Sequence, residues 1–118
     1  MGVSPSFQPT IEVRSPRPDA VVVVLGGEHD LFSADSLQQT FDDSLADSDH
    51  LIVDLSGAEF IDSTIVGVLV QAKKKADERE RKFTVVLGTA PAVERILDVT
   101  GVLALFDVVP TVDRALAA

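Results

Sequence analysis

The feature that most constrains the fold of this sequence is a buried-strand pattern that is followed, a few residues later, by a helix pattern. The strand is the apolar run Leu51-Ile-Val-Asp54, which is typical of a parallel strand covered on both faces. Apolar residues then repeat at helical spacing at Ile65, Val68, Leu69, Ala72 and Ala76. Between the two patterns lies Asp62-Ser63-Thr64, and any of these side chains can cap the free backbone N–H groups where the helix begins.

The chemistry of Asp62-Ser63-Thr64 allows two interpretations. In the first, the segment only caps the helix. In the second, Ser63 presents its hydroxyl at the helix N-terminus so that a partner can phosphorylate it. Residue types and spacing favour the cap, but they do not by themselves decide between the two interpretations.

The composition predicts one acidic globular domain. The chain has 118 residues, 46% of them hydrophobic, so a single core is expected over residues 7–118 after a loose tail at residues 1–6. A net charge of −9 disfavours nucleic acid and anionic membranes as partners, because their phosphates would repel the chain. The longest apolar run, Ala20–Leu25, is too short to span a membrane, and no signal peptide is recognisable. The absence of cysteine fits a cytoplasmic location without requiring one.

Alternating strand and helix patterns predict an α/β fold in the order β-β-α-β-α-β-α-β-α. The predicted strands are Phe7–Arg14, Ala20–Leu25, Leu51–Asp54, Phe83–Leu87 and Leu103–Val109. The helices are expected to begin near Ser33, Asp62-Ser63-Thr64, Pro91 and Thr111, and a loop is expected at Gly26–Phe32. After the first hairpin, this alternation implies right-handed crossovers and a mixed, mostly parallel sheet.

No self-sufficient active site is recognisable, so the chain is not expected to be an enzyme. Ser63 lacks the Gly-x-Ser-x-Gly context of a hydrolase nucleophile, because Ile61 and Ile65 occupy the flanking positions. The only histidines, His29 and His50, lie in stretches that are expected to be exposed polar loops. No residues have metal-ligand spacing, and no cofactor is expected. A small hydrolase that uses Ser63 stays as an alternative.

The segment Asp54-Leu-Ser-Gly-Ala-Glu-Phe-Ile-Asp62-Ser63-Thr64-x-x-Gly67-Val-Leu69 resembles the signature of the STAS domain of bacterial anti-sigma-factor antagonists. The segment from Gly27 to Asp30 is similar to the family's Gly-Glu-x-Asp segment. The resemblance spans the chain from about Ile11 to Leu116. It implies the STAS fold, a mixed, mostly parallel sheet of about five strands with about four helices mainly on one face.

The function that this resemblance implies is a partner switch. The unphosphorylated protein would bind an anti-sigma factor that is also a serine kinase, and so release the sigma factor. Transfer of phosphate from Mg-ATP on the kinase to Ser63 would dissociate the complex, and a serine phosphatase would reset it. The alternative is a non-switching STAS scaffold, or a binding subunit of a larger signalling or transport assembly.

The resemblance also implies a set of partner-binding residues around Ser63. These are Glu28, Asp30, Asp62, Thr64, Ile65 and Gly67. Asp30 is interpreted either as a wall beside the phosphoserine or as a solvated loop acid. Ile65 departs from the family, where glycine is common at this position. If its branched side chain faces outward, we expect it to obstruct the kinase; if it faces the core, the obstruction is small.

Overall fold

Five strands and four α-helices follow one another in the predicted order within residues 8–117, the residues that the computed structural model describes. The strands are β1 (Thr10–Arg17), β2 (Ala20–His29), β3 (His50–Ile61), β4 (Lys82–Val86) and β5 (Asp107–Val109). The helices are α1 (Leu31–Asp47), α2 (Ser63–Glu78), α3 (Pro91–Val99) and α4 (Val112–Ala117), with a short 3₁₀ helix at Val102–Leu105. The expected tail at residues 1–6 lies outside the described residues. Among the helices just given, none has the length and apolar character needed to cross a membrane.

The strands form one sheet in the order β1-β2-β3-β4-β5. β1 pairs antiparallel with β2, and all later neighbours pair in parallel. The tight turn at Pro18-Asp19 permits only antiparallel pairing, whereas each later pair of strands is joined through a helix. The predicted mixed, mostly parallel sheet is therefore confirmed.

The helices divide unequally between the two faces of the sheet. The larger core packs α1, α2 and α3 against strand residues that include Val21 and Val23. A smaller cluster on the opposite face joins Val22 and Ile52 to Ala115 of α4. Because successive strand side chains point to opposite faces, a strand covered on both faces needs an unbroken apolar run. The expectation that the helices lie mainly on one face is confirmed.

β2 and β3 are longer than their apolar runs. The predicted loop at Gly26–Phe32 is wrong, because β2 continues to His29 and α1 begins directly afterwards. β3 likewise continues to Ile61, and the two strands stay paired through two shifts of register. Gly26 permits a close approach of β1, since a Cβ at this position would lie 2.5 Å from Oγ1 of Thr10.

Two further boundaries differ from the predictions. β1 runs to Arg17 rather than to Arg14, while Phe7 lies outside the described residues. The predicted strand Leu103–Val109 is wrong in its first half, which forms the 3₁₀ helix. Gly101 adopts a φ of 75° before this helix, a conformation that turns the chain sharply after α3 and prevents an extended path.

Both histidines are buried within strands, so the expectation of exposed loops is wrong. His50 is 2% exposed, and its Nε2 lies 2.8 Å from Oγ1 of Thr84 on the neighbouring strand. Burial lowers the pKa of His50, and the positive charges of Lys82 and Arg17 lower it further. His50 is therefore a neutral structural residue near pH 7.

Replacement of Gly88 by alanine tests how closely the segment after β4 approaches β3. A Cβ at Gly88 would lie 2.7 Å from Cα and 2.9 Å from the carbonyl O of Ser56, and backbone atoms yield less easily than the end of a side chain. We expect Gly88→Ala to lower the free energy of unfolding by about 1–3 kcal/mol in urea denaturation.

Gly67→Ala is the matched control for this substitution. A Cβ at Gly67 would have no neighbour within 4 Å, and the residue lies inside α2. We expect this variant to raise the free energy of unfolding by about 0.5–1 kcal/mol, because alanine favours the helix over the unfolded chain. Similar changes in the two variants would contradict the close approach at Gly88.

Candidate functional site

The carboxyl ends of β2 and β3 lie side by side and position the candidate site. His29 pairs in register with Ile61, and the backbone N–H of Asp62 donates to the carbonyl O of His29 at 3.2 Å. Because α1 and α2 begin directly after these strands, their first turns are neighbours. The structure thus brings together the two segments that contain the sequence-predicted site residues.

Each of the two helices is capped by the aspartate that precedes it. The carboxylate of Asp30 accepts a hydrogen bond from the N–H of Phe32 at 2.9 Å, and that of Asp62 accepts one from the N–H of Ile65 at 3.1 Å. The prediction that Ser33 caps the first helix is wrong, because α1 begins earlier. The positive ends of both helix dipoles favour these acids.

Ser63 is the first residue of α2 and is exposed. Since Asp62 makes the side-chain cap bond, the helix does not depend on the Ser63 hydroxyl for this purpose. Thr64 and Gly67 are also exposed, and the space around Gly67 is open. A partner can therefore approach the backbone of the first turns of α2 without meeting a large side chain at Gly67.

Ile65 lies on the opposite side of this first turn. Its side chain is 0% exposed and belongs to the main hydrophobic core. Of the two alternatives for Ile65, the structure therefore selects the core-facing one, for which only a small obstruction of a kinase is expected. Because the helical repeat directs this side chain inward, it is not available to bind a partner directly, unlike the other predicted partner-binding residues. Ile65 instead anchors α2 beneath the exposed Ser63.

Three carboxylates lie where β2 and β3 end and α1 and α2 begin. Glu28 and Asp30 are exposed at the end of β2, and Asp62 is half-buried directly before Ser63. These groups make the local surface acidic. A further negative charge on Ser63 would therefore add to an already negative surface, while the positive end of the α2 dipole would stabilise it.

Apolar side chains border this acidic surface, and sequence reasoning missed them. Leu31 is 60% exposed, Phe32 is 87% exposed, and Phe60 is 40% exposed. Phe60 lines an open groove together with Pro91, Ala92, Arg95, Ile96 and Val99 of α3. The available signal was that Leu31 and Phe32 fall outside the buried helical stripe that starts at Ala34. Exposed aromatic residues around a polar centre are typical of protein-binding surfaces.

His29 lies beneath the site and is fully buried. Its ring is held by the carbonyl oxygens of Thr10 and Gly26 and by the hydroxyl of Ser33, at 3.1, 3.0 and 2.9 Å respectively. Burial lowers the pKa of His29, while the two carbonyl contacts and the charge of Asp30 act in the opposite direction. Burial has the largest effect, so the ring is neutral near pH 7.

The geometry does not assemble a hydrolase triad around Ser63. The nitrogen atoms of the His29 ring are both occupied by other partners. His50 begins β3, whereas Ser63 follows the far end of that strand. Within residues 8–117, no three histidine, aspartate or glutamate side chains form a group that could hold a metal ion.

Asp62→Ala tests the assignment of the cap. The substitution removes the acceptor for the Ile65 N–H, so we expect a loss of about 0.5–2 kcal/mol in the free energy of unfolding, measured in urea. Ser63→Ala serves as the control and should change it by less than about 0.5 kcal/mol, because Ser63 is exposed. A larger loss from Ser63→Ala would reassign the cap to Ser63.

Comparisons with known proteins agree with this fold. The sequence model of the STAS domain matches residues 11–115. The chain is similar to an anti-sigma F factor antagonist from Paenibacillus polymyxa, with 27% identity over 83% of this chain and 82% of the relative. It is also similar to the crystal structure of an anti-sigma factor antagonist from Mycobacterium paratuberculosis, with a TM-score of 0.84, 32% identity, and coverage of 98% of this chain and 97% of that one. The phosphorylated form of SpoIIAA from Bacillus has the same fold, with a TM-score of 0.72, 14% identity, and coverage of 92% and 97% of the two chains.

Proposed function

The chain belongs to the STAS domain family, and from this premise we propose that it is an anti-sigma-factor antagonist switched by phosphorylation of Ser63. The unphosphorylated protein binds an anti-sigma factor that is also a serine kinase, and thereby releases the sigma factor. Phosphate transfer from Mg-ATP on the kinase to Ser63 ends this interaction. A serine phosphatase restores the binding form in the cytoplasm. The protein itself acts as a ligand and a substrate rather than as an enzyme.

One observation carries this proposal: an exposed serine hydroxyl at the first position of a helix whose cap is made by another residue. Ser63 is open to a partner, and Asp62 secures the start of α2. A relative of the same fold has been solved in a phosphorylated form, and two others are named as anti-sigma factor antagonists. These likenesses support Ser63 as the acceptor, since it occupies the hydroxyl position of the family signature.

A comparison of two energies, that of a phosphate at the helix terminus and that of a phosphate at the interface, favours a switch that acts on the complex. A phosphoserine carries a charge of about −1.5 to −2 near neutral pH. At the N-terminus of α2 this charge is stabilised by about 0.3–1 kcal/mol, so the fold should survive phosphorylation. Across an interface, juxtaposed like charges cost several kcal/mol. The expected consequence is dissociation rather than unfolding.

The proposed partner surface combines a polar centre with an apolar border. Its polar residues are Glu28, Asp30, Asp62, Ser63 and Thr64, with Gly67 providing open space. Its apolar residues are Leu31, Phe32 and Phe60. Desolvation of the aromatic side chains would supply affinity, and the charge on Ser63 would control it.

Charge substitution at Ser63 tests the switch. We expect Ser63→Ala to bind the cognate anti-sigma factor kinase as the wild type does. We expect Ser63→Glu to bind at least about tenfold more weakly, because it places a permanent negative charge at the interface. Isothermal titration calorimetry measures both affinities, and thermal melts check that both variants are folded.

Phosphosite mapping completes this test. Wild type and Thr64→Ala should both accept phosphate on Ser63 when incubated with the kinase and Mg-ATP, whereas Ser63→Ala should accept none. Mass spectrometry identifies the site. Phosphate placed chiefly on Thr64 would contradict the assignment.

Two other outcomes would support the alternative functions. A stable complex in which the chain is never phosphorylated would support the non-switching scaffold. Covalent labelling of Ser63 by a serine-directed hydrolase probe would support the small hydrolase.

Phe32→Ser tests the apolar border. Phe32 is 87% exposed, so its replacement should leave the free energy of unfolding within about 0.5 kcal/mol of the wild-type value. We expect it to weaken kinase binding by about tenfold or more, as the loss of an aromatic anchor does. Val13→Ser is the control, because Val13 is 53% exposed on β1 and outside the proposed surface. Equal weakening in both variants would argue against a specific role for Phe32.

A further inference from the structure

His29 is a buried ionisable group that the proposed switch does not use. Its Nε2 faces two carbonyl oxygens, those of Thr10 and Gly26, at 3.1 and 3.0 Å. Carbonyl oxygens only accept hydrogen bonds, so Nε2 carries a proton in either charge state of the ring. Nδ1 is therefore the nitrogen that gains or loses the titrating proton, and it lies 2.9 Å from Oγ of Ser33.

The hydroxyl of Ser33 can serve both charge states of the ring. When the ring is neutral, the hydroxyl donates to Nδ1. When the ring is protonated, Nδ1 donates to Oγ of Ser33, and the hydroxyl can donate to the carbonyl O of Asp30, which lies 3.2 Å away. Proton uptake thus needs only the rotation of one hydroxyl group. The charged ring would keep hydrogen-bond partners on both nitrogens, which reduces the cost of a buried charge.

The backbone of His29 connects this ring to the start of α2. Its carbonyl O accepts the N–H of Asp62 at 3.2 Å, and Ser63 is the next residue. A phosphate on Ser63 would therefore add about −1.5 to −2 charges one residue beyond the amide that is hydrogen-bonded to the His29 backbone. A negative charge there favours the protonated form of the buried ring, because opposite charges attract and a buried site screens this attraction less than bulk water does.

We propose that proton binding by His29 and phosphorylation of Ser63 are thermodynamically linked, so that each favours the other. This inference rests on the proposed function, because it takes Ser63 as the phosphoacceptor. A negative charge on Ser63 should raise the titration midpoint of His29 by about 0.5–1 pH unit. By reciprocity, protonation of His29 favours the phosphorylated protein over the unphosphorylated one by the same factor, about 3–10-fold.

In the unphosphorylated protein, burial of His29 decides how the free energy of unfolding depends on pH. Because burial lowers the pKa of His29, the unfolded chain binds this proton more readily than the folded protein does. The stability contributed by the neutral ring is therefore complete above pH about 6.5 and is lost as the pH falls toward the folded value. The charged side chains on the elements around His29 include Glu12, Arg14 and Arg17 of β1, Glu28 of β2, Asp35 of α1, Asp54 and Glu59 of β3, and Asp30 and Asp62 before the two helices. Among them, the charge of Asp30 acts on the ring and raises its pKa.

The test follows both histidine rings by NMR in the intact protein between pH 4.5 and 8. The chain contains only two histidines, so each Cε1–H resonance can be assigned from a His50→Gln variant. We expect the His29 midpoint to be higher in Ser63→Glu than in Ser63→Gln, by about 0.3–0.5 pH unit for this single charge. In enzymatically phosphorylated protein, the His29 midpoint should rise by the full value of about 0.5–1 pH unit. The His50 midpoint should stay unchanged, because His50 lies at the other end of β3.

The amide N–H resonances of Asp62 and Phe32 report whether the charge state of the ring also changes the backbone at the starts of α2 and α1. We expect both to shift with the His29 midpoint in wild type and to lose this transition in His29→Gln. Equal His29 midpoints in Ser63→Glu and Ser63→Gln would overturn the linkage, as would an equal shift of His50 or a His29 ring that stays neutral throughout. If a kinase fails to phosphorylate Ser63 but the midpoints differ, the proposed function fails while the charge coupling stands.

Discussion

The parallel pairing of β2 with β3 is the interaction on which the candidate site depends. The two strands remain paired beyond their apolar runs. At the end of this pairing, a backbone hydrogen bond joins the carbonyl of His29 to the N–H of Asp62. A parallel pair delivers both carboxyl ends to one edge of the sheet. Two helices therefore start side by side, and residues far apart in sequence form one surface.

Separate residues secure the helix start and expose the hydroxyl. Asp62 accepts the cap bond, and Ile65 fixes the first turn to the core, while Ser63 lies outside. A serine that capped its own helix would lose this bond on modification, and phosphorylation would then lower the free energy of unfolding. The arrangement instead lets Ser63 change its charge at the surface while the helix stays intact.

The surface around Ser63 suits regulation by charge. Exposed aromatic side chains can supply binding energy that does not depend on charge, while Glu28, Asp30 and Asp62 already make the centre acidic. Under the proposed function, one phosphate then adds to this acidic centre, and its effect on the complex exceeds its effect on the fold. The buried His29 adds a group whose charge state can respond to the same phosphate.

Local patterns in the sequence determined much of this protein. The apolar runs, the helical stripe after Ser63 and the positions of Pro91 and Gly101 predicted the element order and the sheet type, because burial on two faces and helix termini each demand particular residues. Tertiary structure alone decided the length of β2 and β3, since residues such as Gly26 and Glu28 join a strand only when a neighbouring strand supplies their hydrogen bonds. It also decided that His29 and His50 are buried, that Asp62 is the cap, and that Phe32 faces solvent. Polar and aromatic side chains are stable in either environment, and only the contacts made by the folded chain select between burial with partners and exposure.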